Sequence, residues 1–282
     1  MKKFILIVLF FTFSFADTKK YIDPYTLVFA YTPNENPALY RDVWKDFIVY
    51  MEKVTGKNVV FFPYQTNMAE IKAMKAGMLH VAGFSTGSVP IAVKEAGFVP
   101  LYVMGNSKGE YGYRMEFITY KGSGIKSLKD IKGKTLTLTA PSSYSGCKLP
   151  LKILSQKYGY KAGKDFEVKY SGRHSRSIMG VSTHKFKVAS IASSVKDRMI
   201  KEKRVSKNSI KVIYRSKKYP TTGYGYVNNL DPKLAKKIEY AFETFKWIKK
   251  DGSKTSLKKQ FFTHDKFIKI DYKKVWRDII KQ

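Results

Sequence analysis

A cluster of hydroxyl side chains marks the residues best suited to chemistry in this sequence. Ser142, Ser143, Tyr144 and Ser145 follow the β-favouring run 135–139 and precede an apolar pattern of helical period. That order predicts a strand, a polar loop and the start of a helix. Because the first N–H groups of a helix have no partner within it and its macrodipole is positive there, such a loop suits an anion. The simpler interpretation is that Ser143 or Ser145 is an ordinary N-cap.

Two earlier loops repeat this pattern. The segments 65–67 and 85–88 each lie between a predicted strand and a predicted helix, and Asn67 and Glu70 stand at capping-box spacing. In an open α/β sheet, ligands bind beyond the carboxyl ends of the strands, where such loops meet. The three polar loops are therefore expected to face one cleft.

One histidine follows a later strand within a polar segment. His174 lies in the segment 171–177, between Arg173 and Arg176. An imidazole donates to an anion in its neutral or its charged form, so a site built on His174 would depend on pH near its titration. The alternative interpretation of His174 is a surface loop histidine. Arg173 and Arg176 are further ligand candidates, but their side chains are expected to be solvated. His80, at the end of a strand, is expected to be structural.

Apolar patterns place these loops on alternating strands and helices. The predicted strands are 26–31, 58–62, 79–82, 98–104, 115–120, 135–139, 166–170, 187–192 and 210–215. The first predicted helix begins at Asn36 and Pro37 and ends at Gly56, and its apolar stripe is Leu39, Val43, Phe47, Met51 and Val54. The other predicted helices are 68–76, 89–96, 194–201 and 231 to about 250. The rest is expected to be helical, packed by Trp247, Phe267 and Trp276. The alternation predicts an α/β fold with parallel sheets.

The first residues have the pattern of a secretory signal peptide. A basic start is followed by the apolar run 4–11 and by small residues at Ser14 and Ala16. The run is short for a membrane span, and no cysteine near the cleavage point offers a lipid anchor. We therefore expect removal of residues 1–16 and a soluble periplasmic protein.

The composition is that of a folded and strongly basic chain. Hydrophobic residues make up 44% and the net charge is +31. The lysines are dispersed, without zinc-finger spacing or an arginine-rich arm, so nucleic acid is not expected as a partner. The positive field would still draw small anions towards a cleft. The single cysteine, Cys147, excludes an internal disulfide and a multi-cysteine metal site.

These loops and their neighbours resemble one family, the phosphate-, phosphite- and phosphonate-binding periplasmic proteins of ABC transporters, known as the PhnD-like group. The matching segments occur in the family's order and span roughly residues 26 to 230. They are 65–77, 80–90, 127–133, 141–146, and 171–174 followed by 187–192.

The resemblance implies a type II periplasmic-binding fold, with two α/β lobes that close on a ligand cleft between them. Two crossings between the lobes, near 115–120 and 219–227, would act as hinges. The implied division is a signal peptide at 1–16, the first part of lobe 1 at 17–116, lobe 2 at 117–222 and the C-terminal part of lobe 1 at 223–282.

The resemblance also implies where the ligand sits. A phosphorus oxyanion would lie against Ser143, Tyr144 and Ser145, with a histidine that matches His174. The other implied contacts are Asn67, Phe84, Ser85, Thr86, Ser88 and Thr222. Tyr144 stands where the family commonly has threonine, so a backbone contact would survive there, whereas a hydroxyl contact is in doubt.

The implied ligand carries no ammonium group. Family members that bind aminoalkylphosphonates place acidic side chains near the amine, and the matching positions fall near Ser194 and Thr222, neither of them acidic. We expect phosphate, phosphite or a simple alkylphosphonate. The resemblance further implies a monomer that meets its ABC permease and ATPase transiently, with no metal and no organic cofactor.

Two other functions compete with transport. The same fold could serve as a periplasmic ligand sensor that docks on a membrane receptor, which the sequence does not separate from transport. A phosphoester-acting enzyme would use the serine loop and His174 as nucleophile and base. No acid is placed to orient that histidine, no G-x-S-x-G elbow is present and the histidines lack metal-ligand spacing, so an enzyme is not expected.

Overall fold

Two β-sheets, joined by two short links, organise residues 21–31 and 40–280, which are the residues that the computed structural model describes. The strands there are β1 (Thr26–Tyr31), β2 (Asn58–Phe61), β3 (Val81–Phe84), β4 (Phe98–Gly105), β5 (Tyr113–Thr119), β6 (Thr135–Leu138), β7 (Glu167–Tyr170), β8 (Val188–Ala192), β9 (Lys211–Tyr219), β10 (Gly223–Val227) and β11 (Lys266–Lys269). The helices are α1 (Tyr40–Thr55), α2 (Asn67–Lys75), α3 (Val89–Ala96), α4 (Leu149–Tyr158), α5 (His174–Ser182), α6 (Ser193–Lys201), α7 (Pro232–Thr244), α8 (Ser256–Gln260), α9 (Tyr272–Val275) and α10 (Arg277–Ile280). The predicted signal peptide and the predicted helix start at Asn36 and Pro37, with Leu39, lie outside the described residues.

The first sheet has the strand order β11-β4-β10-β3-β1-β2 and the second β7-β6-β8-β5-β9. β1 pairs in parallel with β2 and β3, and β6 with β7 and β8, as predicted. The prediction of wholly parallel sheets is wrong, because β10, β11 and β5 are antiparallel to their neighbours. The chain returns from the second sheet beside the C-terminal end of β3, where Gly223 pairs with Phe84. β10 therefore runs antiparallel to β3.

The chain passes between the sheets at residues 106–112 and 220–222. A crossing at 115–120 is wrong, since β5 pairs along its length with strands of the second sheet. The predicted boundary between residues 116 and 117 falls inside that strand. The second predicted crossing contains the observed link, but its last five residues form β10. The division into lobes stays a prediction.

Glycines with positive φ end two helices where the sequence predicts. α1 stops before Gly56 (φ 71°) and α3 before Gly97 (φ 65°), a left-handed conformation that glycine adopts without steric cost. The face that α1 buries differs from the predicted stripe, since Val43 and Val54 are only partly buried. Its buried residues are Tyr40, Trp44, Phe47, Met51 and Thr55. Within the described residues, no helix combines the length and the apolar character needed to cross a bilayer.

An aromatic cluster fills the core beside the first sheet. The ring centroids of Trp44 and Phe29 lie 4.7 Å apart, and those of Phe267 and Phe242 4.9 Å apart. Trp247, Phe267 and Trp276 are buried, as predicted. The helical prediction around them is confirmed only for the short helices α8, α9 and α10. It is wrong at Phe267, which lies in β11, because pairing with β4 overrides the local pattern. The predicted helix to about residue 250 ends at Thr244.

Candidate functional site

A cavity of about 310 Å³ lies between the loops of the two sheets. The predicted ligand residues that line it are Ser85, Thr86, Ser143, Tyr144, Ser145, His174 and Thr222. The predicted residues Asn67, Phe84 and Ser88 are not among its lining residues. The loops at 85–88 and 142–145 therefore meet at one cleft, as expected. No residue of the third loop, 65–67, lines the cavity, and Asn67 instead contacts the backbone of Ser85.

The serine loop begins a helix, and Ser143 is its N-cap. The Ser143 hydroxyl oxygen accepts a hydrogen bond of 3.0 Å from the Gly146 N–H, so the ordinary-cap interpretation of Ser143 is correct. A π-helical turn over Tyr144–Lys148 then continues directly into α4. Gly146 is required at this turn, since an added Cβ would lie 1.8 Å from Thr139 Oγ1.

His174 is the first residue of α5, so the predicted polar segment 171–177 is a shorter loop and a helix start. Its side chain is 2% exposed, which rules out a surface histidine. Nδ1 accepts a 3.1 Å hydrogen bond from the Ala192 N–H, and burial lowers the pKa of His174 to about 3. The ring is therefore neutral at physiological pH and carries its proton on Nε2, which lies 3.4 Å from the Ser143 hydroxyl.

The second sheet directs three helix starts at the cavity. Tyr144, His174 and Ser193 open the π-helical turn, α5 and α6, and all three residues line the cavity. The first N–H groups of each start have no partner within the helix, although the Gly146 N–H is bound by the Ser143 hydroxyl, and each start carries the positive end of a macrodipole. A cleft that concentrates hydrogen-bond donors in this way suits an anion.

The first sheet contributes the loop that precedes α3. Ser85 Oγ donates to Ser88 Oγ at 3.0 Å, and the Ser85 N–H donates to Asn67 Oδ1 at 3.2 Å. Asn67 therefore supports this loop from behind. The predicted N-cap at Asn67 is wrong, because Thr66 caps α2 by accepting from the Ala69 N–H at 3.1 Å.

Phe84 and Ser88 are buried in the core. The Phe84 ring meets Phe98 edge to face at 4.8 Å. Both residues position the loop that contains Ser85 and Thr86. They were predicted to contact the ligand, but neither lines the cavity.

Thr86 connects the first-sheet loop to the second link. Its hydroxyl donates to the carbonyl oxygens of Pro220 at 2.9 Å and Thr221 at 3.1 Å. The Thr86 carbonyl in turn accepts from the indole N–H of Trp276 at 2.9 Å. With its hydroxyl hydrogen engaged in this way, Thr86 fixes the loop against the link more than it offers a donor to a ligand.

Two tyrosines lie beside the predicted site residues without a signal in the sequence, and of these only Tyr113 lines the cavity. Tyr113, at the start of β5, is buried, and its hydroxyl hydrogen-bonds with the side chains of Ser145 and Thr86, while burial raises its pKa. Tyr219, at the end of β9, meets Tyr144 edge to face at 4.9 Å. No local pattern distinguishes these tyrosines from ordinary strand residues.

The remaining lining residues include charges of both signs. Ser194 and Thr222 line the cavity. The carboxylates of Glu110 and Asp197 also belong to the lining, together with Arg198 and Lys218. Glu110, Asp197 and Lys218 are exposed, so these charges lie at the solvent edge of the cavity.

The other basic and histidine residues have separate positions. Arg173 and Arg176 are not among the lining residues of the cavity. His80 is buried and its Nδ1 accepts from the Val28 N–H at 3.0 Å, a structural role as predicted. His264 also lines the cavity. Among the described residues, no three His, Cys, Asp or Glu side chains are grouped as a metal ion would need.

Known proteins share this architecture. The family model of the periplasmic substrate-binding protein of ABC phosphonate transporters matches residues 29–275. A binding protein of an ABC phosphonate transporter from Pseudomonas aeruginosa superposes with a TM-score of 0.77 and 22% identity, over 90% of this chain and 85% of that one. PhnD1 from Prochlorococcus marinus, solved with methylphosphonate, gives 0.78 and 18% over 92% and 97%. XAC2383 from Xanthomonas citri, bound to ATP, gives 0.76 and 17% over 92% and 96%.

At such identities the three solved structures establish the fold, which is the type II periplasmic-binding fold expected from the sequence. The match of residues 29–275 extends over nearly the whole chain, including both sheets and the loops that meet at the cavity. The chain therefore belongs to the family of periplasmic phosphonate-binding proteins of ABC transporters.

Proposed function

We propose that this protein captures a phosphorus oxyanion, either a phosphonate, phosphite or phosphate, by closing two lobes around it, and delivers it to an ABC permease. The observation that carries the proposal is the convergence of three helix starts and the His174 Nε2–H on one cavity. Desolvating an oxyanion is costly unless its oxygens accept hydrogen bonds, and these groups supply donors in number.

The state of His174 argues for binding over hydrolysis. A general base must accept a proton from the serine, but Nε2 already carries one, and Nδ1 is occupied by the Ala192 N–H. The orienting group is thus a backbone N–H donor where a catalytic triad places a carboxylate. With a pKa near 3, the ring is a hydrogen-bond donor and a poor base. The phosphoesterase alternative loses its central residue.

The absence of an ammonium group on the ligand also belongs to the proposal. Ser194 and Thr222 stand in the cavity where the family resemblance would place acids. Asp197, the nearest acid along α6, has an exposed side chain whose Oδ1 lies 3.5 Å from Lys196 Nζ. The Asp197 carboxylate is therefore already paired with Lys196 and is a poor partner for an amine on the ligand.

Cellular context completes the proposal. The proposal places the protein in the periplasm as a monomer, exported by a cleavable signal peptide at residues 1–16. Its partners would be a permease and an ATPase. The sensor alternative uses the same ligand and fold, and a neighbouring histidine kinase gene in place of a permease and ATPase pair would favour it.

A ligand panel tests the proposal directly. Refolded, ligand-stripped protein is heated with phosphate, phosphite, methylphosphonate, 2-aminoethylphosphonate, sulfate, a dicarboxylate or ATP, and every hit is measured by calorimetry. A ligand that binds only the folded state must raise the melting temperature. We expect shifts with phosphorus oxyanions and none with 2-aminoethylphosphonate. A response to sulfate, the dicarboxylate or ATP alone would refute the assigned ligand class.

A further inference from the structure

One wall of the cavity is aromatic and belongs to no part of the anion site. We call it the aromatic wall and define it as Tyr31, Tyr40, Tyr224 and Phe261, all of which line the cavity. Tyr31, Tyr40 and Tyr224 are at most 6% exposed. Tyr31 and Tyr224 stack at 6.1 Å between centroids, and Phe261 meets Tyr31 edge to face at 6.2 Å.

The aromatic wall adjoins the anion site through the backbone of β3. Tyr31 and Tyr224 are the register partners of Gly83 on either side, two residues before Ser85. Both rings cover that glycine, since an added Cβ there would lie 2.5 Å from Tyr224 Cε1 and 3.0 Å from Tyr31 Cδ2. Glycine at this position lets the rings lie beside the loop that faces the anion.

The polar atoms of the aromatic wall are engaged within the protein. The Tyr224 hydroxyl donates to Met104 Sδ at 3.5 Å and hydrogen-bonds with the Tyr31 and Thr222 side chains. The Tyr40 hydroxyl accepts from Gln260 Nε2 at 3.3 Å. Burial holds the pKa of Tyr224 well above its usual range, so the ring stays neutral. Among the charged lining residues, Glu110, Asp197 and Lys218 are solvent exposed and Arg198 is buried.

The size of the cavity exceeds what the smallest ligands need. At about 310 Å³ it falls at the lower end of the range of roughly 300–1,000 Å³ that encloses drug-sized ligands. Phosphite and methylphosphonate consist of a handful of non-hydrogen atoms and would leave the part of the cavity beside the aromatic wall unfilled. A larger apolar group would fill that part and bury its own apolar surface there, which favours binding.

We propose that the aromatic wall receives the substituent on phosphorus, and that the substituent is an uncharged carbon chain or ring larger than methyl. The inference rests on the proposed function, because it needs the phosphonate head to sit at the helix starts around Ser143 and His174. It narrows the ligand class from phosphorus oxyanions in general to apolar organophosphonates.

Calorimetry with a homologous series tests the inference. The ligands are phosphite and the methyl-, ethyl-, n-propyl- and n-butylphosphonates. Each methylene buried against the aromatic wall should lower Kd roughly four-fold. The decisive pair is n-propylphosphonate and 2-aminoethylphosphonate, which have the same shape and differ in a methyl or an ammonium end. We expect the propyl compound to bind more tightly.

The outcomes separate the inference from the proposed function. If phosphite and methylphosphonate bind but affinity falls or stays level along the series, the inference is overturned and the proposed function stands. The same holds if 2-aminoethylphosphonate equals or exceeds n-propylphosphonate. If neither the series nor phosphate binds, both fail, whereas binding of phosphate alone would overturn only the inference.

Substitutions of Phe261 test whether the gain in affinity with chain length arises at the aromatic wall. Phe261→Ala should reduce the ratio of butyl to methyl affinity, whereas Phe261→Leu, which keeps an apolar side chain, should preserve most of it. Phe62→Ala is the matched control, because Phe62 is half exposed and is not among the lining residues of the cavity. An unchanged ratio in folded Phe261→Ala protein would overturn the assignment of the aromatic wall.

Discussion

The Cα of Gly87 lies directly against the backbone of Ser142, so that an added Cβ would be 2.6 Å from the Ser142 carbonyl oxygen and 3.0 Å from the Tyr144 N–H nitrogen. Gly87 belongs to the loop after β3 and Ser142 to the loop after β6, one from each sheet. The two anion loops thus approach each other backbone to backbone. Only a residue without a side chain permits this approach, so Gly87 limits how closely the two loops can meet.

Gly87→Ala should therefore hold the loops apart and weaken ligand binding. Overpacking typically costs about 1–3 kcal/mol, which corresponds to a loss of affinity of roughly five-fold to 150-fold. Calorimetry with the best ligand of the panel measures it, and small-angle scattering of the ligand-saturated protein should show a larger radius of gyration. Gly122→Ala is a control for a glycine replacement away from the cleft: its Cβ would lie in open space, but at φ 86° alanine is strained, so it should lower stability and leave affinity unchanged. Equal affinities and radii for Gly87→Ala and wild type would disprove the steric role.

Ser143→Asp separates the capping role of Ser143 from its place in the anion site. Aspartate is as good an N-cap as serine, so the free energy of unfolding should change by less than about 1 kcal/mol. The carboxylate would, however, face the bound oxyanion, and two like charges in a cleft repel strongly enough to lower affinity by at least about 100-fold. Urea unfolding and calorimetry measure the two effects on the same sample.

Ser206→Asp provides the control for that substitution. Ser206 caps the 3₁₀ turn Lys207–Ser209 by accepting from the Asn208 N–H at 3.2 Å and is not among the lining residues of the cavity. The same charge change there should leave affinity nearly unaffected. Comparable losses in both variants would mean that the overall charge of the protein, and not Ser143, governs binding.

Local residues were sufficient to predict some elements. Pro90 at the start of α3 and Gly97 after its end fix the helix from within, and the predicted range 89–96 is correct. The strand, loop and helix order around Ser143 is likewise encoded by a contiguous pattern. At these positions each determinant lies within a few residues of the feature that it sets.

Features that depend on distant residues escaped prediction. Asn67 was assigned to an N-cap, but its Oδ1 serves Ser85, eighteen positions later in the chain. Tyr113 reaches the cavity only because β5 crosses to the second sheet, and Phe261 only because the C-terminal segment returns to the first. Propensity and periodicity describe the local backbone, and these contacts are made by its tertiary path.

Acidification should destabilise the protein through His174. Its pKa is about 3 in the folded protein, because burial disfavours the charged ring, against about 6.5 in the unfolded chain. Below pH 6.5 the unfolded state therefore binds a proton that the folded state does not. The free energy of unfolding should fall by about 1 kcal/mol between pH 6.5 and 5.5 from this group alone, and the loss should continue towards pH 3.

Urea unfolding of wild type and His174→Gln at pH 7.5, 6.5 and 5.5 measures the contribution. Carboxylates and the other histidines respond to pH in both proteins, so the difference between their slopes isolates His174. We expect His174→Gln to be less stable at pH 7.5 but to lose less stability on acidification. Parallel pH profiles would show that His174 titrates in the folded protein much as in the unfolded one.

Trp276→Phe should loosen the Thr86 loop. The Trp276 indole N–H donates to the Thr86 carbonyl at 2.9 Å in a fully buried setting, and the substitution leaves that carbonyl without its donor. An unsatisfied buried acceptor costs about 1–3 kcal/mol in the free energy of unfolding. Because Thr86 Oγ1 also donates to the carbonyls of Pro220 and Thr221, the loss should extend to the link at 220–222 and reduce ligand affinity.

Trp247→Phe is a matched control, since Trp247 is buried as well, but its indole N–H has no hydrogen-bond partner among the described residues. Both variants lose indole volume, and only the first loses a hydrogen bond, so the excess loss of stability and affinity in Trp276→Phe measures the contribution of that bond to the shape of the cleft. If the two variants lose stability equally and Trp276→Phe binds ligand like wild type, the Thr86 loop is held by its hydroxyl alone.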